Sequence, residues 1–239
     1  VEAARKAQPG WAGATAYLRG QVLYRLAEMV EGKRRELAQA IDGIAPAGKK
    51  KLAGDAEVTL AVDRLVHYAG WADKYAQVLG CNNPVAGPFY NFTVPEPTGV
   101  VAVVCPDAAP LLGLVSLLAP AICPGNAAVL VASEKNPIPA AVFAEACATS
   151  DVPPGVINIL TAERSELLPH LSSHRDLDAV VAANLPGDQA ALLRKGSAEN
   201  LKRVSVHDVA DWTDAAACEH PWWIERVVEM KTMWHPAGA

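Results

Sequence analysis

Apolar positions along the first eighty residues recur at helical spacing. Between residues 13 and 40, Tyr17, Val22, Leu26, Met29, Val30 and Leu37 fall near one side of a 3.6-residue period, which predicts one long amphipathic helix. A second helix is predicted from Asp55 to Leu79. There Val58, Val62, Leu65, Ala69, Ala72 and Ala76 repeat at three- and four-residue steps, and Asp55 sits where a cap belongs. Its other side carries His67, Tyr68, Trp71 and Tyr75, which either face a partner or line a neighbouring element. Between the two helices, Gly43 to Lys51 holds Pro46 and Gly48 and predicts a flexible connection.

Beyond residue 98 short apolar runs alternate with helical patterns. Strands are predicted at 99–104, 127–132, Val156–Leu160, Leu177–Ala182 and Leu201–Val206, and helices at about 109–121, 137–149, 163–171 and 187–195. This alternation predicts an α/β fold, a doubly wound, Rossmann-like parallel sheet. Two further stretches alternate with period two. Tyr90-Asn91-Phe92-Thr93-Val94 reads as one extended ribbon. In the tail, Val228, Met230, Thr232 and Trp234 alternate with Glu229, Lys231 and Met233, as a half-exposed strand does.

Composition narrows the picture. The chain has 239 residues, 51% hydrophobic and 20% charged, which is ordinary for a globular protein and argues against disorder. A formal net charge of -5, with basic clusters only at Lys33-Arg34-Arg35 and Lys49-Lys50-Lys51, argues against nucleic-acid binding. The charge-free run Ala108–Ala132 is long enough to cross a bilayer, but Pro110, Pro120, Pro124 and Gly125-Asn126 divide it. A strand and helix buried in an α/β core explain it better than a membrane span. Cys81, Cys105, Cys123, Cys147 and Cys218 show no CxxC and no regular spacing, which fits a reducing, cytosolic setting. No leader pattern is seen, and Val1 suggests that further residues precede it.

Candidate chemistry is sparse. Cys105, next to Pro106 and Asp107, and Cys218, two residues from His220, lack the adjacent cation or base that a reactive thiol needs. Cys218, His220, His207 and Asp208 lack the paired spacing of a zinc site and read as surface residues; His170 and His174 read as loop residues. No catalytic residue and no metal ligand is assigned.

Three segments carry a family likeness: residues 1–31 (VEAARKAQPGWAGATAYLRGQVLYRLAEMVE), residues 94–137 (VPEPTGVVAVVCPDAAPLLGLVSLLAPAICPGNAAVLVASEKNP) and residues 152–162 (VPPGVINILTA). Together they resemble the aldehyde dehydrogenase superfamily in order and spacing over most of residues 1–190. The likeness is nearest to degenerate copies that accompany an intact enzyme. It implies a Rossmann-like cofactor domain, with residues 1–80 as its N-terminal helices, 81–98 as a ribbon, 99–207 as the α/β core and 208–239 as a C-terminal tail.

The same resemblance implies where chemistry has been lost. The family's turn after the first core strand usually reads Pro-Trp-Asn, its Asn helping to hold the oxyanion; here it reads Pro106, Asp107, Ala108. An alanine methyl donates no hydrogen bond, and losing one such donor costs about 3–4 kcal/mol of barrier. Asp107 adds a charge that repels the oxyanion. The family's ribose clamp, Lys and Glu, becomes Val131-Ala132-Ser133-Glu134, leaving Ser133 and Glu134 as a residual half. The pyrophosphate turn reads Val181 to Gly187, where Gly187 permits a turn and helix N–H groups could attract phosphate, but Asp188 competes. No cofactor is therefore expected, and any NAD binding is weak. No general-base Glu follows the strand at 201–206, and the Gly-Gln-x-Cys nucleophile segment has no counterpart.

Residues 225–235 resemble the family's C-terminal oligomerisation strand, which packs on a neighbouring subunit together with a ribbon like residues 90–94. The resemblance thus implies a noncatalytic subunit that joins itself or an intact NAD-dependent aldehyde dehydrogenase. Its interface residues would be Tyr90, Phe92, Val228, Met230, Thr232 and Trp234. Trp222 and Trp223 join that interface or cap the sheet internally. An NAD-binding or NAD-sensing module and an unconventional aldehyde oxidoreductase are the alternatives.

Overall fold

A computed structural model describes residues 1–44 and 52–237. The N-terminal third is helical: α1 (Glu2–Gly13), α2 (Ala16–Gly32), α3 (Arg34–Asp42), α4 (Gly54–Trp71) and α5 (Tyr75–Leu79). Strands β1 (Cys81–Asn82) and β2 (Phe89–Pro97) lead into the alternating region, β3 (Val100–Val104), α6 (Leu112–Ile122), β4 (Ala127–Val131), α7 (Ile138–Thr149), β5 (Ile157–Leu160), α8 (Arg164–Ser173), β6 (Ala179–Ala183), α9 (Gly187–Asn200) and β7 (Arg203–His207). Two short turns of helix, α10 (Ala215–Cys218) and α11 (Trp222–Glu225), precede the last strand, β8 (Val228–Pro236).

The expected parallel sheet is present, with strand order β5-β4-β3-β6-β7. Its three inner strands are buried at every residue, as helices on both faces require of runs such as VVAVV and AAVLV. The chain builds outward from β3 to β5 and then crosses back to β6, so the winding reverses between β3 and β6. Carboxyl ends of strands at such a reversal are where open α/β sheets take ligands.

The helix expected over residues 13–40 is instead split, and a preceding helix, α1, had no separate prediction. Thr15 ends the continuity: its backbone is extended and its side chain accepts the Leu18 N–H at 3.1 Å, which starts α2 afresh. The chain breaks again at Lys33. As a result Tyr17 is solvent-exposed, not on the buried side. The helix expected over 55–79 likewise divides into α4 and α5, and Ala53, not Asp55, stands at the N-cap. Tyr68 and Tyr75 are buried, so that aromatic side lines the molecule's own interior. The connection expected at Gly43–Lys51 falls mostly outside the described residues.

Every residue of α6 is buried, and Pro120 lies within the helix without dividing it. Close approach dictates Gly113, because a Cβ there would come within 2.3 Å of Pro106 Cγ. Gly125, at φ +113°, makes the turn from α6 to β4. Among the described residues no helix is long and apolar enough to cross a membrane.

Residues between β7 and β8 fold back onto the helical layer. Arg64 of α4, fully buried, holds them there. Its Nε donates to Glu219 Oε1 at 3.0 Å, its Nη1 to Ser116 Oγ at 2.6 Å and to the Cys218 carbonyl at 3.1 Å, and its Nη2 to the Trp212 carbonyl at 3.3 Å. Asn126 ties the root of β8 to the core by donating to the carbonyls of Ala121 and Val227 at 2.8 and 2.9 Å.

Candidate functional site

The carboxyl ends of β3, β4 and β5 meet at Asp107, in the turn after β3. Its Oδ1 accepts hydrogen bonds from Ser133 Oγ (2.8 Å), the Glu134 N–H (3.0 Å), the Lys135 N–H (3.2 Å) and Arg164 Nη2 (2.7 Å); its Oδ2 accepts from Arg164 Nη1 (2.7 Å). Burial alone would raise the Asp107 pKa, but the Arg164 and Ser133 hydrogen bonds outweigh it and hold the carboxyl below the ordinary aspartate range. Arg164, the first residue of α8 and 7% exposed, also donates to the Cys105 carbonyl at 2.7 Å. Asp107 is therefore half of a partly buried ion pair, not a loose charge awaiting a substrate oxyanion.

Ser133 and Glu134 lie beside this pair. Ser133 is buried and its hydroxyl is committed to Asp107, while the exposed Glu134 carboxylate lies 3.9 Å from Arg164 Nη1. A cation from α8 thus stands near Glu134, a role the sequence had left empty at Val131. Gly187, on the far side of β3, begins α9; its φ is not positive and a Cβ there would meet nothing within 4 Å. The turn that Gly187 was expected to permit is made without a positive φ, so glycine is allowed there but not demanded. Space at the α9 N-terminus is open.

The other helix start in this crevice is already taken. Glu57 Oε1, from α4, accepts the Leu111 and Leu112 N–H groups at 2.9 and 3.0 Å, and Ala108 presents only its methyl. Cys105 and Cys218 are both buried, and burial pushes each thiol up despite nearby arginine charge. His207 is not the surface residue expected: its ring stacks on Trp223 at 4.1 Å, and burial, helped by the Arg226 charge, pushes its pKa down to about 4. Trp212 closes the group edge-on to Trp223 at 6.4 Å.

A second candidate site is the small antiparallel sheet β1-β2-β8. β8 pairs with β2 along its whole length, from Phe89 opposite Pro236 to Pro97 opposite Val228. One face carries Tyr90, Phe92 and Met233; the other carries Phe89, Met230, Thr232 and Trp234, with Phe89 edge-on to Trp234 at 5.7 Å. Trp234 is 60% exposed and Tyr90 55%, and Met230 and Met233 are exposed as well. Val228 does not belong with them: it is buried at the strand's root and packs in this chain's own core. Trp222 is exposed, stacked only on His220, whereas Trp223 turns inward to His207.

A sequence model of the aldehyde dehydrogenase family matches residues 1–207, which includes both helical layers and all five parallel strands. The chain belongs to the aldehyde dehydrogenase family. It is 32% identical over 209 residues to aldehyde dehydrogenase, cytosolic 1, of Elephantulus edwardii, covering 86% of this chain and 41% of that protein. Aldehyde dehydrogenase C of Pseudomonas syringae, solved as a C291A mutant with NAD+ and octanal, superposes with a TM-score of 0.75 at 30% identity, covering 87% of this chain and 41% of that one. Betaine aldehyde dehydrogenase of Staphylococcus aureus, solved with NAD+, gives 0.76 at 26% identity over 85% and 40%. The chain thus spans about two fifths of the length of the aldehyde dehydrogenases it matches.

Sequence reasoning missed three residues of this aldehyde dehydrogenase fold: Glu57, Arg64 and Arg164. Each is a charged residue on a helix whose side-chain partners or bonded N–H groups lie 52 to 155 positions away. The one available signal was Asp107, a lone carboxylate in a charge-free stretch, since a charge placed at a buried strand end calls for a counter-ion.

Proposed function

We propose that this chain is a noncatalytic aldehyde dehydrogenase-like subunit that associates, through its β2–β8 sheet, with a second copy or with an intact aldehyde dehydrogenase. The observation that carries this reading is the sheet's tip. Aromatic and methionine side chains are exposed on both of its faces, and the outer edge of β8 pairs with nothing among the described residues. Such a strand is costly in water unless another chain covers it. Loss of catalysis rests on Ala108 in place of a donor, on an α6 N-terminus satisfied by Glu57, and on thiols that burial keeps protonated. Residues 208–227, between β7 and β8, pack on α4 and α6, held by Arg64. Five free thiols fit the cytosol.

In the test, the chain is expressed with and without an intact aldehyde dehydrogenase from the same source. Expected are a complex larger than one chain, its loss in Trp234→Glu, and no NADH from an aldehyde panel by the chain alone. Turnover by the isolated chain, abolished by Cys105→Ser or Cys218→Ser, would instead support an oxidoreductase.

NAD binding is the second reading, favoured by the relatives solved with NAD+. Here Glu134 and Arg164 would hold the adenosine ribose and the open α9 N-terminus the pyrophosphate. When bound, the nicotinamide would supply hydride exchange. Calorimetric titration with millimolar NAD tests this reading directly.

A further inference from the structure

We propose that Asp107 is a built-in occupant of an oxyanion cradle, formed by Arg164, the Ser133 hydroxyl and the Glu134 and Lys135 N–H groups, and that an anionic nucleotide enters this crevice only by displacing it. The cradle's chemistry is that of a phosphate or carboxylate site. A guanidinium grips two oxygens in fork geometry, a hydroxyl and two successive backbone N–H groups converge on one of those oxygens, and the site lies at the carboxyl ends of three parallel strands. Those donors come from two elements, the β4–α7 turn and the first residue of α8, while the acceptor comes from a third, the β3–α6 turn. Arg164 Nε is buried as well and has no partner among the described residues.

Two consequences follow from the geometry. Ser133, Glu134 and Arg164 are the residues that a nucleotide ribose would meet under the NAD reading, on which this part of the proposal rests, and Asp107 is bonded to all three, to Glu134 through its backbone N–H. The carboxylate also lies where it repels a phosphate approaching along the same rim. Removing it uncovers the donors and takes away the nearer of two carboxylates, leaving Glu134 at 3.9 Å from Arg164 Nη1.

The experiment uses the whole chain as wild type, Asp107→Ala, Asp107→Asn, and Asp107→Ala combined with Arg164→Leu. Thermal midpoints are measured in sodium acetate and in sodium chloride at equal ionic strength, and NAD is titrated by calorimetry. Expected are a lowered midpoint for Asp107→Ala that acetate restores saturably and chloride does not, no acetate response in the wild type or the double variant, and an NAD dissociation constant at least tenfold lower in Asp107→Ala than in the wild type. Equal midpoints in acetate and chloride would overturn the cradle. An acetate response without any NAD binding would leave the cradle standing and remove the nucleotide. Asp107→Asn keeps the side chain's shape without its charge, so if Asp107→Ala fails to fold, the NAD comparison is made there: a tenfold gain supports displacement, and unchanged affinity refutes it.

Discussion

Three charged or titratable side chains bear most of what is unusual in this molecule. Arg64, itself buried, spends its donors on the partly exposed Glu219, on Ser116 and on two carbonyls of the residues after β7. Removing one member of a buried pair costs about 3–5 kcal/mol, chiefly because the other is left uncompensated. Arg64→Met should therefore lower the urea midpoint by that equivalent, and Arg64→Met with Glu219→Met should recover part of it. His207 sets an acid limit. Its folded pKa of about 4 lies below the ordinary 6.5, so the unfolded chain takes up a proton first as pH falls. Stability is complete above about pH 6.5 and falls progressively toward pH 4. Asp107, also depressed, adds a further loss below the ordinary aspartate range. His207→Phe keeps an aromatic ring against Trp223 and removes the first titration. The stability lost between pH 7 and pH 5 should shrink by about 1–2 kcal/mol, allowing for partial exposure of the ring.

At the level of elements, backbone proximity decides which changes are tolerated. Gly113 begins the buried helix α6 against Pro106, and the added methyl of Gly113→Ala has nowhere to go, so a loss of about 1–3 kcal/mol is expected in chemical denaturation. Gly187→Ala, at the open start of α9, should be neutral or stabilise by about 0.4–1 kcal/mol. These two glycines look alike in the sequence; their neighbours separate them. The inner strands β3, β4 and β6 were legible because covering both faces of a sheet demands unbroken apolar runs. β8 was legible from its period-two alternation, but the half-exposed strand that this implied is not what forms: past Val228 every residue is exposed, on both faces. The breaks at Thr15 and Lys33 were hidden, since the apolar stripe runs on across α2 and α3 and only the local cap interrupts it. The Asp107–Arg164 pair was hidden for another reason: it joins residues 57 apart that no local pattern relates.

For the whole molecule, a five-stranded parallel sheet clad in helices forms the body, and a thin three-stranded antiparallel sheet carries an apolar tip. Under the proposed association, the tip is the surface a second chain would cover. Trp234, Tyr90, Met230 and Met233 gain nothing from this chain's own core, while the root of the same strand, Val228, is sealed into it. An anchored root with an uncovered edge is what the proposed association would use, since an unpaired strand edge can accept another chain. The most direct test is native mass measurement of the tagged chain, alone and co-expressed with an intact aldehyde dehydrogenase, beside Trp234→Glu. An assembly of two or more chains that falls apart in the variant is the predicted result; a single chain under both conditions, unchanged by the substitution, would contradict it.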